Sequence, residues 1–524
     1  MDYTVTFQPD NVRANIGSGK SILDAARSAG ILLYSVCDGE GSCGRCKIFV
    51  REGKVSVEAL PDGSYLACKT YPTSDLIIEI PQESRLGAHQ RIEEFIELSA
   101  GKVTGSDVGI AVDVGTTTVS VCMIDYATKK PISQTSEYNR QVSYGADVLS
   151  RITYAERSGV ETLNRLIIDT INNLISVLTK DQPSLRVKEI VAAGNTTMIY
   201  ILMDRDPSVV RDDPEALEFR QPLKEAAEKL RLHCSGGLYA LPAIGGYVGG
   251  DVVADILASG LHLAQKPSML IDVGTNGEIV LGCRDWLLAC STSAGPAFEG
   301  GEVACGMNAV AGAIEDVSIK DDEITYSTIR NEKPLGFCGS GLISLVSELF
   351  LSGIVDYRGK FTDTAGNRIR NGASDLEFLV ASAEETLHNK DIFLSEKDIR
   401  SIILSKAAIY AGARTLSNAG VAFSELDRIY IAGDFGYHLN IEKAVSIGLL
   451  PDVSRDKFTF IGNGSLKGAS IVLSDPSKRK EAEDIAKLAT YRDLSKASGF
   501  PEEYLAALYL PHKDETLFPS IEPR

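Results

Sequence analysis

The sequence lacks the features that mark membrane, exported and nucleic-acid-binding proteins. No apolar run reaches the ~18 residues that a membrane-spanning helix needs, and the first residues, MDYTVTFQPD, have neither the basic nor the apolar segment of an export signal. No run rich in lysine and arginine occurs, and 53 basic against 71 acidic residues give a net charge of −18. We therefore expect a cytoplasmic protein with neither a nucleic-acid nor a membrane partner.

Cysteine is also scarce, and it is unevenly placed. The chain has ten cysteines in 524 residues, too few for a disulfide-stabilised scaffold. Four of them fall within the first 68 positions, and the other six lie singly between positions 122 and 338. The length predicts three or four domains, and the clustering predicts a metal or iron–sulfur site in the first of them.

The N-terminal segment predicts a small α+β domain. The segments YTVTF and VRANI predict a hairpin, and KIFVREG and DLIIEI predict two further strands. Between them, Ser21 with Asp24 three residues later predicts a capped helix that ends at Gly30. Residues 82–106 predict a linker, in which RIEEFIELSA is expected to form a short helix.

The loop CDGEGSCGRC, together with a later cysteine, predicts a metal centre. The candidate ligands are Cys37, Cys43, Cys46 and Cys68. Four thiolates satisfy a [2Fe–2S] cluster, and the glycines at 39, 41 and 44 allow the tight bends of a chain wrapped around one. A structural zinc ion and reduced thiols are the alternatives. A single Cys-x2-Cys hook with a glycine-rich gap favours the iron–sulfur cluster, because zinc sites usually pair two such hooks.

The remainder of the chain contains a repeat. GIAVDVGTTTVSVCMID (109–125) and SMLIDVGTNGEIVLGC (268–283) both run from an apolar strand through Asp-Val-Gly-Thr and a polar turn into a second strand. Asp272 follows Asp113 by 159 positions, which predicts two related α/β lobes. One such turn is common in ordinary hairpins, but two copies at domain-scale separation favour nucleotide binding.

Both turns carry groups suited to phosphate. Glycine permits a tight turn whose main-chain N–H groups bind phosphate oxygens, threonine adds hydroxyl donors, and aspartate can hold Mg²⁺ through water. The candidates are Asp113, Gly115, Thr116 and Thr117 in the first copy and Asp272, Gly274 and Thr275 in the second.

Three further segments fit a nucleotide site. Asn195, in EIVAAGNTTM, either faces the phosphates or caps the helix that follows. Asp251, in GGYVGGDVVADILASG, either orients the attacking water or the metal, or only favours the helix dipole. In DRIYIAGDFGYHL, Gly433 and Gly436 let a planar base approach the backbone.

These motifs resemble known families. CDGEGSCGRCKIFV with LACKT resembles a [2Fe–2S] ferredoxin of the adrenodoxin type, which implies a β-grasp fold. The repeat resembles the ASKHA superfamily of sugar kinases, heat-shock chaperones and actin. That resemblance makes 113–118 and 272–278 the phosphate motifs, which adds Thr118 and Asn276 to the candidates, and gives Asp251 the place of a catalytic carboxylate. IAGDFG resembles the adenosine motif, with Asp434 where that family usually has glycine.

A ferredoxin joined to an ASKHA ATPase resembles the reductive activators of corrinoid proteins. The resemblance implies a multidomain α+β and α/β chain with a β-grasp domain (1–81), a linker (82–106), a first ASKHA lobe (107–267), a second lobe (268–475) and a helical extension (476–524). It implies ATP-dependent one-electron reduction of cob(II)alamin to cob(I)alamin, with a [2Fe–2S] cluster, ATP and Mg²⁺ as cofactors. The implied partners are a corrinoid protein and an upstream low-potential electron donor, and a homodimer stays open.

Three other functions stay open at this stage. One is an ATP-gated donor of electrons to another low-potential acceptor, and another is a small-molecule kinase with a vestigial ferredoxin domain. The last is a redox sensor without catalysis.

Overall fold

The computed structural model describes residues 2–35, 39, 41, 44–81, 84–85, 96–97, 103–145, 147–182, 184–320, 323–362, 368–372, 375–433 and 439–522. The chain divides into two compact units, Met1–Pro214 with Leu223–Ala240 and Glu215–Pro222 with Leu241–Arg524. The five segments expected from the sequence stay a prediction. Within the described ranges, every helix is too short or too polar to cross a bilayer.

The first unit begins with a five-stranded sheet and one helix. Their bounds are β1 (Asp2–Gln8), β2 (Val12–Gly17), α1 (Ile22–Ser28), β3 (Lys47–Glu52), β4 (Tyr65–Leu66) and β5 (Leu76–Glu79). The strand order is β2-β1-β5-β3-β4, with β1 antiparallel to β2 and parallel to β5, which is the β-grasp arrangement that was expected. Ser21 and Asp24 form the predicted capping box of α1.

The rest of the first unit is a seven-stranded sheet with its helices. Their bounds are β6 (Ile96–Glu97), β7 (Asp107–Val114), β8 (Thr118–Asp125), β9 (Pro131–Tyr138), α2 (Val148–Ser158), α3 (Glu161–Thr179), β10 (Arg186–Gly194), α4 (Thr196–Leu202), α5 (Ser208–Asp212), β11 (Leu223–Ala226) and β12 (Gly237–Ala240). The strand order is β11-β12-β10-β7-β8-β9-β6. The buried core of this part includes Val108, Ile110 and Val112 of β7 and Ile167 and Ile171 of α3.

The prediction of a helix within residues 91–100 is wrong at the two residues of that segment that the structure describes. Ile96–Glu97 is a strand, β6, that pairs antiparallel with β9. An isolated helix of about ten residues is marginal in water, whereas the open edge of β9 offers unpaired backbone groups to an extended segment.

The second unit holds the remaining elements. Their bounds are α6 (Gly250–Ser259), β13 (Ser268–Val273), β14 (Asn276–Cys283), β15 (Trp286–Ser293), β16 (Ala313–Lys320), β17 (Glu323–Thr328), β18 (Gly336–Phe337), α7 (Gly339–Leu351), β19 (Ile369–Asn371), β20 (Leu376–Ala381), β21 (Ile392–Ser395), α8 (Glu396–Ser417), β22 (Ile429–Ala432), α9 (Ile441–Ser446), β23 (Phe458–Gly462), α10 (Gly464–Ser474), α11 (Lys478–Leu488), β24 (Ala489–Tyr491) and α12 (Phe500–Ala507). The main sheet has the order β23-β22-β13-β14-β15-β24, and two three-stranded sheets, β17-β16-β18 and β19-β20-β21, accompany it.

The two large sheets share one plan. In the first unit the order β12-β10-β7-β8-β9 matches β23-β22-β13-β14-β15 in the second. In both, an antiparallel meander starts from the strand that bears the Asp-Val-Gly-Thr motif, and two parallel strands extend that strand's other side. The internal duplication expected from the sequence is confirmed.

The C-terminal residues are built into the core of the second unit. The buried Lys406 of α8 donates from Nζ to the carbonyls of Tyr509 (2.6 Å) and Pro511 (2.7 Å). The Tyr410 ring centroid lies 5.4 Å from that of Phe518. Burial without a carboxylate partner among these contacts holds the pKa of Lys406 well below its ordinary range.

Candidate functional site

Two of the predicted cluster ligands are brought together in the ferredoxin-like domain. Cys46 directly precedes β3, and Cys68 lies in a short turn after β4. Both are buried, at 1% and 4% exposure, and their Sγ atoms lie 3.4 Å apart. Cys37 and Cys43 lie outside the described residues.

The cysteine pair fits a metal centre. A disulfide would bring the sulfurs to about 2.05 Å, whereas two thiolates on one tetrahedral metal, with bonds of about 2.3 Å, lie about 3.8 Å apart. The hydrogen bond shared with Cys68, with help from backbone N–H groups, lowers the pKa of the Cys46 thiol to about 6 despite its burial. The thiolate is the form that binds metal.

The first phosphate turn consists of the four residues 115–118, which lie between the last paired positions of β7 and β8. Val114 pairs with Val119, and Asp113, half-buried at the end of β7, stands opposite Ser120. A Cβ atom at Gly115 would lie 2.3 Å from the carbonyl oxygen of Thr118, so the turn accepts only glycine there. The tight turn that the sequence predicts is confirmed, and Thr118 is the first residue of β8.

Asn195 caps the helix that follows it, and it also contacts the first phosphate turn. Its Oδ1 accepts a hydrogen bond from the Met198 N–H (2.9 Å) and so caps α4. Its Nδ2 donates to Thr116 Oγ1 (3.0 Å), so the same side chain holds a threonine of the phosphate turn.

Two buried residues that sequence reasoning missed hold the carbonyls of this turn. Asn139 donates from Nδ2 to the Gly115 carbonyl (2.9 Å) and from its main-chain N–H to the Thr117 carbonyl (2.8 Å). Arg151 of α2 donates to the carbonyl of Thr116. A charged residue on the buried face of an amphipathic helix was the available signal for Arg151.

The second phosphate turn is one residue shorter and more acidic. Val273 pairs with Gly277, and the Gly274 N–H donates to the Asn276 carbonyl (2.9 Å), which closes the turn. Asp272 stands directly opposite Glu278 of β14. Directly opposed residues of an antiparallel pair have Cβ atoms about 5 Å apart, so two carboxyl groups meet where like charges repel.

Asp251 adds a third carboxyl to this environment. It is the second residue of α6, and its Oδ1 accepts from the Val252 N–H (2.8 Å). Desolvation, reinforced by the charge of Asp272, raises the pKa of Asp251 to about 7. Desolvation and the charges of Asp251 and Asp272 raise the pKa of the buried Glu278 well above its ordinary range. Titratable groups perturbed in this way are typical of functional sites.

Glu278 is a third residue that sequence reasoning missed. It lies among buried residues of strand β14, and its Oε1 accepts a hydrogen bond from Ser291 Oγ (3.1 Å). A lone acid among buried strand residues was the sequence signal. In the described part of the chain, no three or more His, Cys, Asp or Glu side chains are arranged to hold a metal ion.

The end of β22 brings the adenosine-like motif beside Asp272. Asp272 pairs with Ala432, and Gly433 follows with φ of +105°. A Cβ atom at Gly433 would lie 2.5 Å from the Val273 carbonyl oxygen and 3.3 Å from Asp272 Oδ1. Asp434 and Gly436 lie outside the described residues. Thr275 donates from Oγ1 to Glu299 Oε1 (2.8 Å).

The predicted nucleotide-binding residues that the structure describes therefore form one group in each unit. Asp113, the turn 115–118 and Asn195 come together in the first unit, and Asp251, Asp272, the turn 274–276 and Gly433 belong to the second.

Comparisons with known proteins agree with this combination. The family model described as "RACo middle region" matches residues 108–264, and the one described as "C-terminal domain of RACo the ASKHA domain" matches residues 266–522. A third, described as "2Fe-2S iron-sulfur cluster binding domain", matches residues 5–73. The three matches follow one another along the chain.

Similar proteins carry names that agree with these matches. "Corrinoid activation enzyme RamQ" of Eubacterium limosum is 35% identical over 415 residues, which are 76% of this chain and 69% of that protein. A Methanosarcina barkeri protein named as a reductase of the Co(II) methylated amine-specific corrinoid protein is 25% identical over 441 residues, 76% of each chain. The solved structure named "Reductive activator for corrinoid,iron-sulfur protein" has a TM-score of 0.75 and 34% identity, covering 99% of this chain and 100% of that one. With its ferredoxin-like domain followed by a duplicated ASKHA fold, the chain belongs to the family of reductive activators of corrinoid proteins.

Proposed function

We propose that this chain reduces the cobalt of a corrinoid protein from Co(II) to Co(I), one electron at a time, under the control of ATP. The observation that carries the proposal is the presence, in one chain, of a buried cysteine pair with sulfurs 3.4 Å apart and of two phosphate turns that each follow an aspartate. The names and family of the similar proteins support it.

The ferredoxin-like domain is proposed to hold a [2Fe–2S] cluster. Its ligands would be Cys37, Cys43, Cys46 and Cys68. When bound, such a cluster supplies single electrons at low potential, which is the chemistry that reduction of Co(II) to Co(I) requires. The lowered pKa of Cys46 keeps this ligand ready for the metal at neutral pH, and the described glycines 39, 41 and 44 all have positive φ, as a chain bent around a cluster requires.

The two phosphate turns are proposed to bind Mg²⁺ and ATP. Asp113 and Asp272 would hold Mg²⁺ through water, and the turns 115–118 and 274–276 would donate N–H and hydroxyl groups to the phosphates. Asp251 would accept a proton from the attacking water, a role that suits a carboxyl group whose pKa is about 7. Asn195 would fix Thr116, and Gly433, Asp434 and Gly436 would lie against the adenosine.

The proposal also covers the electron donor, the cellular location and the oligomeric state. Each Co(II) takes up one electron, so a low-potential one-electron donor must reduce this chain again after every transfer. We propose a cytoplasmic location, and sedimentation of the anaerobic protein tests whether the chain forms the homodimer that stays open.

The test is an anaerobic reduction assay. The protein, isolated with its cluster, is mixed with a corrinoid protein in the Co(II) form and a one-electron reductant, with ATP and Mg²⁺ or without them. We expect the Co(I) absorption spectrum to develop only with ATP, and Asp272→Asn to abolish the ATP effect while leaving the iron and sulfide content unchanged.

Two results would contradict the proposal. One is a Co(I) yield that does not depend on ATP. The other is an ATPase that a sugar or a carboxylic acid stimulates and a corrinoid protein does not, which would instead identify a small-molecule kinase.

A further inference from the structure

Residues 139–145, which link β9 to α2 and which we call the bridging segment, contact two functional parts of the first unit. One side of the segment bonds the first phosphate turn, and the other bonds the ferredoxin-like domain. Asn139, Gln141 and Ser143 have no exposed surface. Hydrogen bonds shielded from water in this way hold their geometry firmly.

On the phosphate side, three successive carbonyl groups are held. Asn139 bonds the carbonyls of Gly115 and Thr117, and Arg151 bonds that of Thr116. In a planar trans peptide the carbonyl of one residue and the N–H of the next point in opposite directions. Fixing the carbonyls of Gly115 and Thr116 therefore directs the N–H groups of Thr116 and Thr117 to the opposite side of the turn, as phosphate binding requires.

On the ferredoxin side, a helix and a loop contact the segment. Arg27, in the last turn of α1, donates to the Ser143 carbonyl, and its guanidinium lies 4.7 Å from the centroid of the Tyr144 ring. Ser143 Oγ donates to the Leu33 carbonyl (3.2 Å). Leu33 precedes the first predicted cluster ligand, Cys37, by only four positions.

Arg151 ties the two sides together. Its guanidinium, fully buried, bonds Gln141 Oε1 (3.0 Å) and the Gly145 carbonyl (3.0 Å) of the segment as well as the phosphate turn. The bridging segment and the phosphate turn are therefore bonded to the same planar guanidinium group. A shift of the segment that moves this group also displaces its hydrogen bond to the turn.

We propose that the bridging segment couples nucleotide binding at the first phosphate turn to the docking of the ferredoxin-like domain, so that each strengthens the other. The inference rests on the proposed binding of ATP. Coupling free energies between sites are reciprocal, so complete loss of the ferredoxin contact must weaken nucleotide binding by the same factor by which the nucleotide strengthens the contact, and partial loss must weaken it by less.

The first measurement uses the full-length anaerobic protein with its cluster. A non-hydrolysable ATP analogue with Mg²⁺ is added, and amide hydrogen exchange is followed at Ile31 and Tyr34, whose N–H groups bond the carbonyls of Ala26 and Ser84. We expect exchange at both amides to slow by about fivefold or more.

The second measurement is the Kd of the same analogue in three variants. We expect Arg27→Ala to raise the Kd by about fivefold or more, and Ser143→Ala to raise it less, because only one hydrogen bond to Leu33 is lost. Arg51→Ala is the matched control, because Arg51 is an exposed arginine of the same domain that pairs with Glu79, and it is expected to keep the wild-type Kd.

The outcomes separate this inference from the proposed function. Equal Kd values in Arg27→Ala, Ser143→Ala, Arg51→Ala and the wild type, with normal nucleotide binding and iron content, would overturn the coupling and leave the proposed function standing. A wild-type protein that binds no nucleotide would overturn both.

Discussion

Replacing Asp251 by asparagine should stabilise the protein while it destroys the ATPase. Desolvation, reinforced by the charge of Asp272, raises the pKa of the Asp251 carboxyl to about 7. A carboxyl whose pKa is higher in the folded than in the unfolded chain stabilises the fold at low pH, and that contribution is lost as the pH rises through the folded value. The asparagine side chain carries no charge, so the stability of the variant does not fall as the pH rises through this range. Its amide oxygen can still accept a hydrogen bond from the Val252 N–H.

The magnitude follows from the two pKa values. A rise from an ordinary value near 3.9 to about 7, at about 1.4 kcal/mol per pH unit, corresponds to about 4 kcal/mol. Asp251 is only half-buried, and solvent screens part of the repulsion, so we expect about 2 kcal/mol at pH 8 and roughly half of that at pH 5.5. A gain of this size corresponds to about 3–5 °C in the melting temperature of a unit of this size.

The assay is thermal unfolding of Asp251→Asn and the wild type without nucleotide or divalent cation, at several pH values between 5.5 and 8. The difference between the two proteins cancels the contributions of titrating groups that do not interact with Asp251, the buried Lys406 among them. The matched control is Asp475→Asn, because Asp475 is an exposed carboxylate whose pKa is lowered by its hydrogen bonds to Ser477, and it should bring no gain. If Asp251→Asn is no more stable than the wild type at pH 8, desolvation and the charge of Asp272 do not raise the pKa of Asp251 to about 7. With Mg²⁺ and ATP, the variant should lose at least about 100-fold in hydrolysis rate.

Three further predictions follow from single contacts. Cys46→Ser should lose the visible absorption of the cluster and all Co(I) formation, but it should still bind ATP. The control is Cys234→Ser, which changes a half-buried cysteine outside the predicted ligand set and should keep the absorption, Co(I) formation and ATP binding. A Cys46→Ser protein with an intact cluster spectrum would refute the ligand assignment. Gly433→Ala should raise the Kd for ATP about tenfold or more, because the added methyl group would clash with the Val273 carbonyl. Gly420→Ala, also at positive φ but in open space, is the control and should leave the Kd unchanged. Calorimetric titration of both variants measures the two Kd values. Asn195→Asp keeps the acceptor for the Met198 N–H but removes the donor to Thr116 and adds a charge, so ATP affinity should fall with a melting temperature close to that of the wild type, and an unchanged affinity would show that Asn195 is only a helix cap.

Local signals in the sequence predicted much of the fold. The capping box at Ser21 and Asp24 and the two Asp-Val-Gly-Thr turns depend on residues a few positions apart, and the structure has all three where they were predicted. The matching turns also predicted the duplicated sheets, because each turn is part of a strand–turn–strand unit that needs a sheet around it.

The residues that were missed act over long distances in the sequence. Arg151 bonds a carbonyl 35 positions away, and Asn139 reaches back 24 positions to Gly115. Desolvation raises the pKa of Glu278, and the charges of Asp251 and Asp272, which lie on other elements, raise it further. Such partners are set by tertiary packing, which periodicity and motif spacing do not encode. The strand at Ile96–Glu97 was missed for the same reason, because only the neighbouring edge of β9 makes it favourable.

The anchoring of the last residues by Lys406 has a consequence for biosynthesis. The acceptors for its ammonium group, the carbonyls of Tyr509 and Pro511, are about a hundred residues downstream of α8. During translation α8 therefore leaves the ribosome before the two carbonyl groups that accept hydrogen bonds from Lys406 have been made. The second unit can complete its core only after residues 509–518 have emerged, whereas the sheet and helix of the ferredoxin-like domain, formed within residues 2–79, can fold earlier.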